Sequence, residues 1–546
     1  MDRRSFIGFG TFAAGALMGG RFSSAFAEDT KAKPGETVKT NLGNVRGTAQ
    51  NGVHAFKGVP YAASTAGANR FMPPKKREPW TGVRDAFELG LRSPQLLSAF
   101  HGQVPPEIEP MDRNEPMGED CLVLNVWTPS VGRGGGKRPV MVWLHGGGYT
   151  SGSGGFICYD GTQLARKHDV VAITVNHRLT VFGYLYLAGI GGEKYAESSN
   201  VGMLDIVAAL EWVRDNIAAF GGDPGNVTIF GQSGGGGKVS TLMAMPSAHG
   251  LFHRAIVESG AAVKGVSRDA ANKSAEQYLA KLNLTPDQAD QLQKLSVDQL
   301  LAPTANTNPM PGSGGFALAP VVDGTTLPND PFDPVAPALS ANIPLLIGTT
   351  ETEVTFFPHQ VLDPINDAEL HTHVKQTLRT ASDEQVDQLI AAYKKGRPGA
   401  SNTDLFLALA SDATFRAGVV TEAERKAAQG KAPVYQYYVT WRSPVRDGKL
   451  RSFHTIEIPF VFDNVDACKS MLGSGEDRYA LAEKFSGAWV AFSRTGNPNH
   501  RTLPNWPAFD DTKRAVMVFN DECKVVDDPH GEEQRLLHSI QSHANG

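Results

Sequence analysis

The chain has 546 residues, of which 41% are hydrophobic and 20% are charged, and its formal net charge is −5. That composition is ordinary for a globular protein and leaves enough chain for a large core. The slightly acidic balance, without any basic run, gives no indication of a nucleic-acid partner. We therefore expect a folded, globular chain that does not bind nucleic acid.

The N-terminal segment "MDRRSFIGFGTFAAGALMGGRFSSAFA" combines Arg3-Arg4, a mildly apolar glycine-bearing stretch and the small-residue pattern Ala25-Phe26-Ala27. These three parts, in this order, predict a twin-arginine signal peptide over residues 1–27. A ragged N-terminal helix or an uncleaved anchor is the alternative interpretation. The signal predicts export of the folded protein through the twin-arginine machinery, to the bacterial periplasm or beyond.

The remainder, residues 28–546, is predicted to form one domain. No apolar run after residue 27 is long enough to cross a bilayer, so we expect no membrane span in the mature chain. No clean linker separates a second domain, although the length alone would allow several.

Strand-like and helix-like stretches alternate through the first half of the chain. "RPVMVWLHGGGY" predicts a buried strand that runs into a glycine loop, and "DVVAITVNHR" predicts another strand. Apolar residues recur at helical spacing over residues 203–217, and "NVTIF" then predicts a short strand. This alternation is typical of a mostly parallel sheet with helices on both faces, which binds ligands at the carboxyl ends of its strands.

The stretch "FGQSGGGGKVS" follows that last strand and fits one of two glycine-rich motifs. A phosphate-binding loop is excluded, because Gln232 and Val239 stand where Gly and Ser or Thr are required. The pattern G-x-S-x-G is met by Gly231, Ser233 and Gly235. That motif is a tight turn between a strand and a helix, and it exposes a serine hydroxyl as a nucleophile.

A serine nucleophile needs a histidine base and a carboxylate that orients the histidine. In a hydrolase sheet of this kind the three residues follow the order serine, acid, histidine. Glu351 and Glu353 both come directly after the predicted strand at residues 343–347, and the residues alone leave the choice open. His454 follows the strand-like "VYQYYVTW" and is the candidate base.

Acyl transfer also requires backbone N–H groups that face the developing oxyanion. Gly234, the residue after the candidate nucleophile, supplies one such group. Gly147 and Gly148 in the loop after the first predicted strand supply the others. A plain glycine turn is the alternative interpretation of that loop.

Two later regions are predicted to be insertions above the sheet. Residues 266–341 look loose and rich in Pro, Asn, Gly and Thr, whereas residues 366–429 look helical. Tyr149, Phe356 and Phe357 stand beside motif residues, and the sequence leaves open whether they line a pocket or pack in the core. The pairing of the four cysteines also stays open; they are Cys121, Cys158, Cys468 and Cys523.

Six ordered segments together resemble the type-B carboxylesterases, which include cholinesterases and bacterial p-nitrobenzyl esterases. They are "FKGVPYA" (56–62), "EDCLVLNVW" (119–127), "FGGDPGNVTIFGQSGG" (220–235), "GTTETEVTFF" (348–357), "FHTIEIPFVF" (453–462) and "SRTGNPN" (493–499). The resemblance implies an α/β-hydrolase fold, a Ser-Glu-His triad and no cofactor. Matched residue by residue, it implies Glu353 as the acid, alongside Ser233 and His454, and the oxyanion donors Gly147, Gly148 and Gly234.

The chain departs from the family pattern beside the nucleophile. The family usually has Glu before the serine and Ala after it, whereas this chain has Gln232 and Gly234. The loss of that carboxylate leaves the pH optimum open. No tryptophan lies between Trp80 and Trp127, where cholinesterases carry one that binds choline, so choline esters are not expected substrates.

These observations predict an enzyme that cleaves small carboxylic esters through an acyl-enzyme intermediate, without a cofactor. An amide, thioester or lactone hydrolase on the same triad is one alternative, and a catalytically silent binding protein of the same fold is another. A metalloenzyme is not expected, because His371 and His373 have no accompanying H-E-x-x-H motif or second ligand cluster.

Overall fold

The fold is described from a computed structural model of the chain. It describes residues 32–96, 106–111, 115–132, 136–305, 315–358 and 360–544. The predicted signal peptide lies outside the described residues.

One large mixed sheet organises the described chain. Its thirteen strands are β1 (Lys33–Lys39), β2 (Asn44–Gln50), β3 (Val53–Pro60), β4 (Val83–Asp85), β5 (Val123–Thr128), β6 (Arg138–Leu144), β7 (Val171–Val175), β8 (Gly222–Gln232), β9 (Arg254–Glu258), β10 (Leu345–Thr350), β11 (Val434–Val439), β12 (Ala515–Phe519) and β13 (Lys524–Asp527). Their spatial order is β1-β2-β3-β5-β7-β6-β8-β9-β10-β11-β12-β13, with β4 paired to β2.

The centre of the sheet is parallel, as the alternation of strands and helices predicted. Strands β7, β6, β8, β9, β10, β11 and β12 pair in parallel, and antiparallel strands flank them on both sides. Every residue of β7, β10, β11 and β12 is buried, because helices cover both faces. The carboxyl ends of β6, β8, β10 and β11 therefore open toward the same edge of the sheet.

Fifteen α-helices of the described residues cover the faces and the edge of the sheet. They are α1 (Thr162–His168), α2 (Thr180–Tyr184), α3 (Ala188–Gly191), α4 (Val201–Asn216), α5 (Gly234–Ala244), α6 (Arg268–Lys281), α7 (Val297–Leu301), α8 (Asp367–Thr377), α9 (Asp383–Gly396), α10 (Asn402–Ser411), α11 (Ala417–Ala427), α12 (Ile458–Val461), α13 (Lys469–Leu472), α14 (Asp477–Thr495) and α15 (Gly531–Ala544).

The predicted elements are largely confirmed, with one difference. The region 366–429 is helical, as expected, and contributes α8 to α11. The interpretation of residues 266–341 as loose is wrong at its start, where α6 runs for 14 residues. Ser267 caps this helix by accepting a hydrogen bond from Ala270 N, and Tyr278 and Leu279 are buried on its inner face. The polar composition of the segment conceals that narrow apolar stripe.

All four cysteines are free thiols, and three of them are buried. The thiols of Cys158 and Cys468 lie against each other, and burial raises the pKa of Cys158 well above its ordinary value. Among the described helices, none combines the length and the apolar character that crossing a membrane would require.

Candidate active site

Ser233 stands at the turn between β8 and α5, where the sequence predicted it. Its backbone has φ 58° and ψ −126°, a conformation of the type II′ turn that glycine normally occupies. Such a conformation costs a non-glycine residue on the order of 1–3 kcal/mol. Two hydrogen bonds hold it: Ser233 N–H donates to Glu258 O at 2.7 Å, and Gly237 N–H donates to Ser233 O at 3.0 Å.

Two glycines that follow the serine are required by close backbone approach. A Cβ at Gly235 would overlap the carbonyl oxygen of Leu144, at the end of β6. A Cβ at Gly234 would overlap the backbone of Gly148. The glycines that are poor helix formers by propensity therefore let the neighbouring loop rest directly on the first turn of α5.

His454 and Glu353 form a hydrogen-bonded pair at the ends of β11 and β10. The Nδ1–H of His454 donates to Oε2 of Glu353, and both side chains are buried. The other carboxylate oxygen of Glu353, Oε1, accepts the backbone N–H of Thr350 at 2.7 Å. Both oxygens of the acid are thus occupied, which holds the imidazole in one orientation and places the proton of that pair on Nδ1.

The acid turn and the histidine loop are bound to each other. Thr352 N–H donates to Ser452 O at 3.1 Å, and the hydroxyl of Thr355 donates to Leu450 O at 2.6 Å. Ser452 in turn donates its hydroxyl to Val439 O at the end of β11. This network positions the Glu353–His454 pair, and Ser411 of α10 adds to it by accepting the N–H of Val354 at 3.2 Å.

Glu351, the other candidate acid, faces elsewhere. Its Oε2 lies 3.5 Å from the guanidinium of Arg442, and it has no described contact with His454.

The side chain of Gln232 brings His454 next to the turn that carries Ser233. Its Nε2 lies 3.2 Å from Nδ1 and 3.1 Å from Nε2 of the imidazole. Because the amide nitrogen is about equally far from both ring nitrogens, it lies over the face of the ring. The in-plane direction of His454 Nε2 therefore has no partner among the described residues.

Two further buried carboxyls lie near this pair, at Glu258 and Glu457. Burial raises the pKa of Glu258 to about 8, although the indole N–H of Trp489 donates to it at 2.7 Å. Burial, and then the charges of Glu353 and Glu258, raise the pKa of Glu457 well above its ordinary value. Burial thus favours the neutral form of both carboxyls and disfavours a second negative charge beside His454.

In the loop after β6 the carbonyl groups accept hydrogen bonds, whereas the N–H groups of Gly147 and Gly148 have no acceptor among the described residues. Gly146 O accepts from His145 Nδ1 at 2.8 Å, and Gly147 O accepts from the N–H groups of Thr150 and Ser151 at 3.3 and 3.0 Å. In a trans peptide the N–H points opposite to the C=O of the same unit. The N–H groups of Gly147 and Gly148 thus point away from these contacts and meet no acceptor in the described chain.

The N–H of Gly234, at the start of α5, likewise has no acceptor among the described residues. It is one of the N–H groups that a helix start leaves unpaired. Gly148 packs directly against Gly234, so the three free N–H groups lie close to the Ser233 turn.

An aromatic wall borders His454. The rings of Phe356, Phe357 and Phe415 lie 5.6, 5.5 and 4.8 Å from the imidazole centroid, and each is only half-buried. Tyr149 instead packs on Tyr184, at 5.0 Å between ring centroids, over α5. Phe356 and Phe357 are therefore partly exposed beside His454, as residues that line a pocket would be.

Three further residues at the site, Phe415, Glu258 and Glu457, were not predicted from the sequence. Phe415 lies in a π-helical turn, Asp412–Arg416, that interrupts the run from α10 to α11. Such turns are frequent at functional sites, but "SDATFRAGVV" carries no sequence signal for one. Glu457 stands within the segment that contains His454, and only its complete burial sets it apart from a surface acid.

No group of three or more metal-ligating side chains occurs among the residues that the structure describes. His371 lies 3.6 Å from Asp387, and His373 packs on the ring of Phe406 at 5.1 Å.

Comparison with known proteins assigns most of the chain to one family. The model of the carboxylesterase family matches residues 34–536. The chain belongs to the carboxylesterase family. Para-nitrobenzyl esterase of Bacillus subtilis is 36% identical over 517 residues, covering 92% of this chain and 98% of the relative. Phenmedipham hydrolase of Pseudarthrobacter oxydans is 35% identical over 500 residues, covering 89% and 95%.

Solved structures of esterases share the fold. An esterase from Clostridium hathewayi superimposes with a TM-score of 0.80 at 34% identity, covering 93% of this chain and all of the other. A carboxylesterase of Geobacillus stearothermophilus does so with a TM-score of 0.77 at 36% identity, covering 92% and 99%. This family member therefore has the α/β-hydrolase fold and is a serine hydrolase that cleaves carboxylic esters.

Proposed function

We propose that Ser233, His454 and Glu353 form the catalytic triad of this esterase. The observation that carries the proposal is the buried Glu353–His454 hydrogen bond beside the strained turn that presents Ser233. The free in-plane side of His454 Nε2 is where a base must accept the serine proton. Gly147, Gly148 and Gly234 supply the N–H groups for the oxyanion, because none of the three has another acceptor among the described residues.

The reaction proceeds in two halves on these groups. His454 takes the proton of Ser233 as the serine oxygen bonds to the ester carbonyl carbon, and the carbonyl oxygen becomes the oxyanion. His454 then gives that proton to the departing alcohol, which leaves the acyl group on Ser233. Water repeats the sequence: it loses a proton to His454, bonds to the acyl carbon and releases the acid, and Ser233 regains its proton.

The substrate class is set by the aromatic wall beside His454. The base that protonates the departing alcohol is bordered by Phe356, Phe357 and Phe415, so we propose that an apolar or aromatic alcohol portion lies against these rings. The solved Clostridium hathewayi relative is described as an esterase that can hydrolyse aliphatic aromatic polyesters, which is compatible with an aromatic ester site of this kind.

The triad is tested with the mature chain from Glu28 and p-nitrophenyl esters of increasing acyl length. We expect turnover by the unaltered enzyme and a loss of several orders of magnitude in kcat for Ser233→Ala. A fluorophosphonate should label the unaltered enzyme on Ser233 and leave the variant unlabelled. The Glu353→Gln variant should lose far more activity than Glu351→Gln, its matched control from the same turn.

Equal activity of Ser233→Ala and the unaltered enzyme would contradict the nucleophile. A folded enzyme that hydrolyses no ester in the series, and takes up no fluorophosphonate, would favour a silent binding protein. Turnover of matched p-nitroanilides or thioesters at higher kcat/KM than the esters would shift the assignment to an amide or thioester hydrolase.

We further propose that the enzyme is exported as a folded protein by the twin-arginine machinery and acts in the periplasm or outside the cell. The support is the sequence of residues 1–27, with Arg3-Arg4 before an apolar stretch and Ala25-Phe26-Ala27 at its end.

A further inference from the structure

Lys238 is a fully buried lysine on the helix that begins at the nucleophile. It lies on α5, in the turn after Ser233, and its exposed fraction is 0%. No carboxylate lies within ion-pair distance of its Nζ in the part of the chain that the structure describes. Burying an ammonium group without a counter-ion costs free energy of folding. The hydrogen bonds of Lys238 therefore indicate its role.

The amine of Lys238 holds the loop after β6 at two points. Nζ donates to His145 O at 2.9 Å and to Gly148 O at 2.9 Å. These two carbonyls flank the peptide units whose N–H groups belong to Gly147 and Gly148. Lys238 is therefore hydrogen-bonded to the loop on both sides of the two N–H groups that face the oxyanion in the proposed mechanism.

The remaining carbonyls of this loop are also occupied. Gly146 O and Gly147 O accept from within the loop, and Tyr149 O accepts the N–H of Thr180 at 2.8 Å. Every carbonyl from residue 145 to residue 149 thus has a donor, but only Lys238 among these donors comes from α5. Its two bonds join the backbone of the loop to the helix that carries Ser233, and the hydroxyl of Tyr149 makes a further contact with Thr241 on the same helix.

The surroundings of Lys238 are otherwise basic or aromatic. His145 and His177 stack at 4.8 Å between centroids, and burial together with the Lys238 charge lowers the pKa of both. The ring of Tyr149 lies 5.4 Å from Nζ. Burial lowers the pKa of Lys238 itself to about 7, because only two carbonyls and one ring face its charge among the described residues.

From this geometry we infer that Lys238 is a positioning residue that fixes the oxyanion loop to the nucleophile helix, so that Gly147, Gly148 and Gly234 present their N–H groups to one point. The inference rests on the proposed function, because it assumes that these N–H groups receive the oxyanion. It assigns to Lys238 a role in the transition state and none in the binding of the ground-state ester.

The test replaces Lys238 by Met, which keeps the apolar stem and removes the donors. We expect kcat to fall by about 10- to 100-fold, the range for a misplaced oxyanion site, while KM stays within about twofold. The affinity for a trifluoromethyl ketone, which forms a tetrahedral oxyanion on the serine, should fall by the same factor as kcat. A change of KM or of thermal stability alone would not produce that matched loss.

Lys426→Met is the matched control. Lys426 is also buried, its Nζ donates to Ala341 O at 2.9 Å, and burial lowers its pKa to about 8, but it lies on α11 with no described contact to this loop. We expect this variant to keep kcat and ketone affinity within about twofold of the unaltered enzyme.

Ketone affinity and kcat of Lys238→Met that equal those of the control would overturn the inference. If Lys238→Met fails to fold, Lys238→Gln is measured instead; its shorter amide cannot span both carbonyls, and unchanged kcat and ketone affinity overturn the inference in the same way. Failure of the proposed function is recognised separately, because the unaltered enzyme would then show no Ser233-dependent turnover.

Discussion

At the scale of single residues, the site is distinguished by Gln232 above the face of His454. A carboxylate in that place would stabilise the imidazolium through space, whereas the amide is neutral. Burial raises the pKa of the nearby carboxyls of Glu258 and Glu457, which disfavours the charged form that could replace the missing charge. Among the described residues, Glu353 is the one carboxylate that hydrogen-bonds to His454, so the protonation of His454 should respond to a charge introduced at residue 232.

The Gln232→Glu variant tests this electrostatic balance. A carboxylate against the ring favours the protonated imidazole, so the acid limb of the pH dependence of kcat/KM should move to higher pH by about one unit. Gln232→Met, which is neutral and of similar length, should leave the limb where it is. An unmoved limb in Gln232→Glu would mean that the side chain does not contact the imidazole in solution.

At the scale of secondary-structure elements, α5 is tied to its neighbours by polar groups buried along its length. Lys238 links it to the loop after β6, and Ser240 links it to α11. The hydroxyl of Ser240 donates to the carboxyl of Glu422 at 2.8 Å, and burial raises the pKa of Glu422 to about 8. The helix that presents the nucleophile is thus anchored by groups whose protonation depends on pH.

The raised pKa of Glu422 predicts the direction in which the free energy of unfolding changes with pH. Its folded-state pKa lies above the unfolded value, so its stabilising effect is fully present below about pH 4.5 and is lost as pH rises to about 8. Glu422→Gln should therefore match the unaltered protein in free energy of unfolding near pH 5, and exceed it by a few kcal/mol, to order of magnitude, near pH 9. Urea unfolding at both pH values measures the difference.

Glu424→Gln is the control on the same helix, because Glu424 is half exposed and pairs with Arg514 at 2.7 Å. Its difference from the unaltered protein should not grow in favour of the variant between pH 5 and pH 9. A Glu422→Gln difference that is independent of pH would show that the carboxyl is ionised in the folded state.

At the scale of the whole molecule, a single sheet brings distant segments together. Residues 145–149, 233–234, 353 and 454 follow β6, β8, β10 and β11, whose carboxyl ends share one edge. The helical region from α8 to α11 contacts β10 and β11 through α11 and contributes Phe415 to the wall beside His454. The domain prediction for 28–546 and the signal peptide over 1–27 stay predictions from sequence.

Export of the whole protein is predicted to depend on the arginine pair of the signal peptide. Replacing both arginines by lysine, in Arg3→Lys with Arg4→Lys, should leave uncleaved and active enzyme in the cytoplasm, because the machinery recognises the arginine pair. Arg21→Lys, in the same segment, should be exported normally. Cell fractionation with an esterase assay, and mass spectrometry of the mature N-terminus, measure the outcome. Equal export of the double variant would contradict the twin-arginine assignment.

The sequence by itself determined the features that local order and spacing carry. An apolar strand, a glycine turn and a helix must follow each other to expose Ser233, and that order is legible in "NVTIFGQSGGGG". The parallel centre of the sheet follows from the same alternation of strands and helices. The residues alone left Glu351 and Glu353 undecided, because both follow the same strand, and only the resemblance to the family favoured one.

The tertiary structure alone decided which distant side chains meet. The hydrogen bond from His454 to Glu353 spans 101 residues, and the contact of Gln232 with His454 spans 222. The sequence excludes a phosphate-binding role for Lys238 but assigns it no other, whereas in the fold its amine donates to two carbonyls that lie 90 and 93 residues earlier. Side-chain burial and long-range contacts arise from the packing of all the elements together, so no local pattern encodes them, and these contacts set the charge and rigidity of the site.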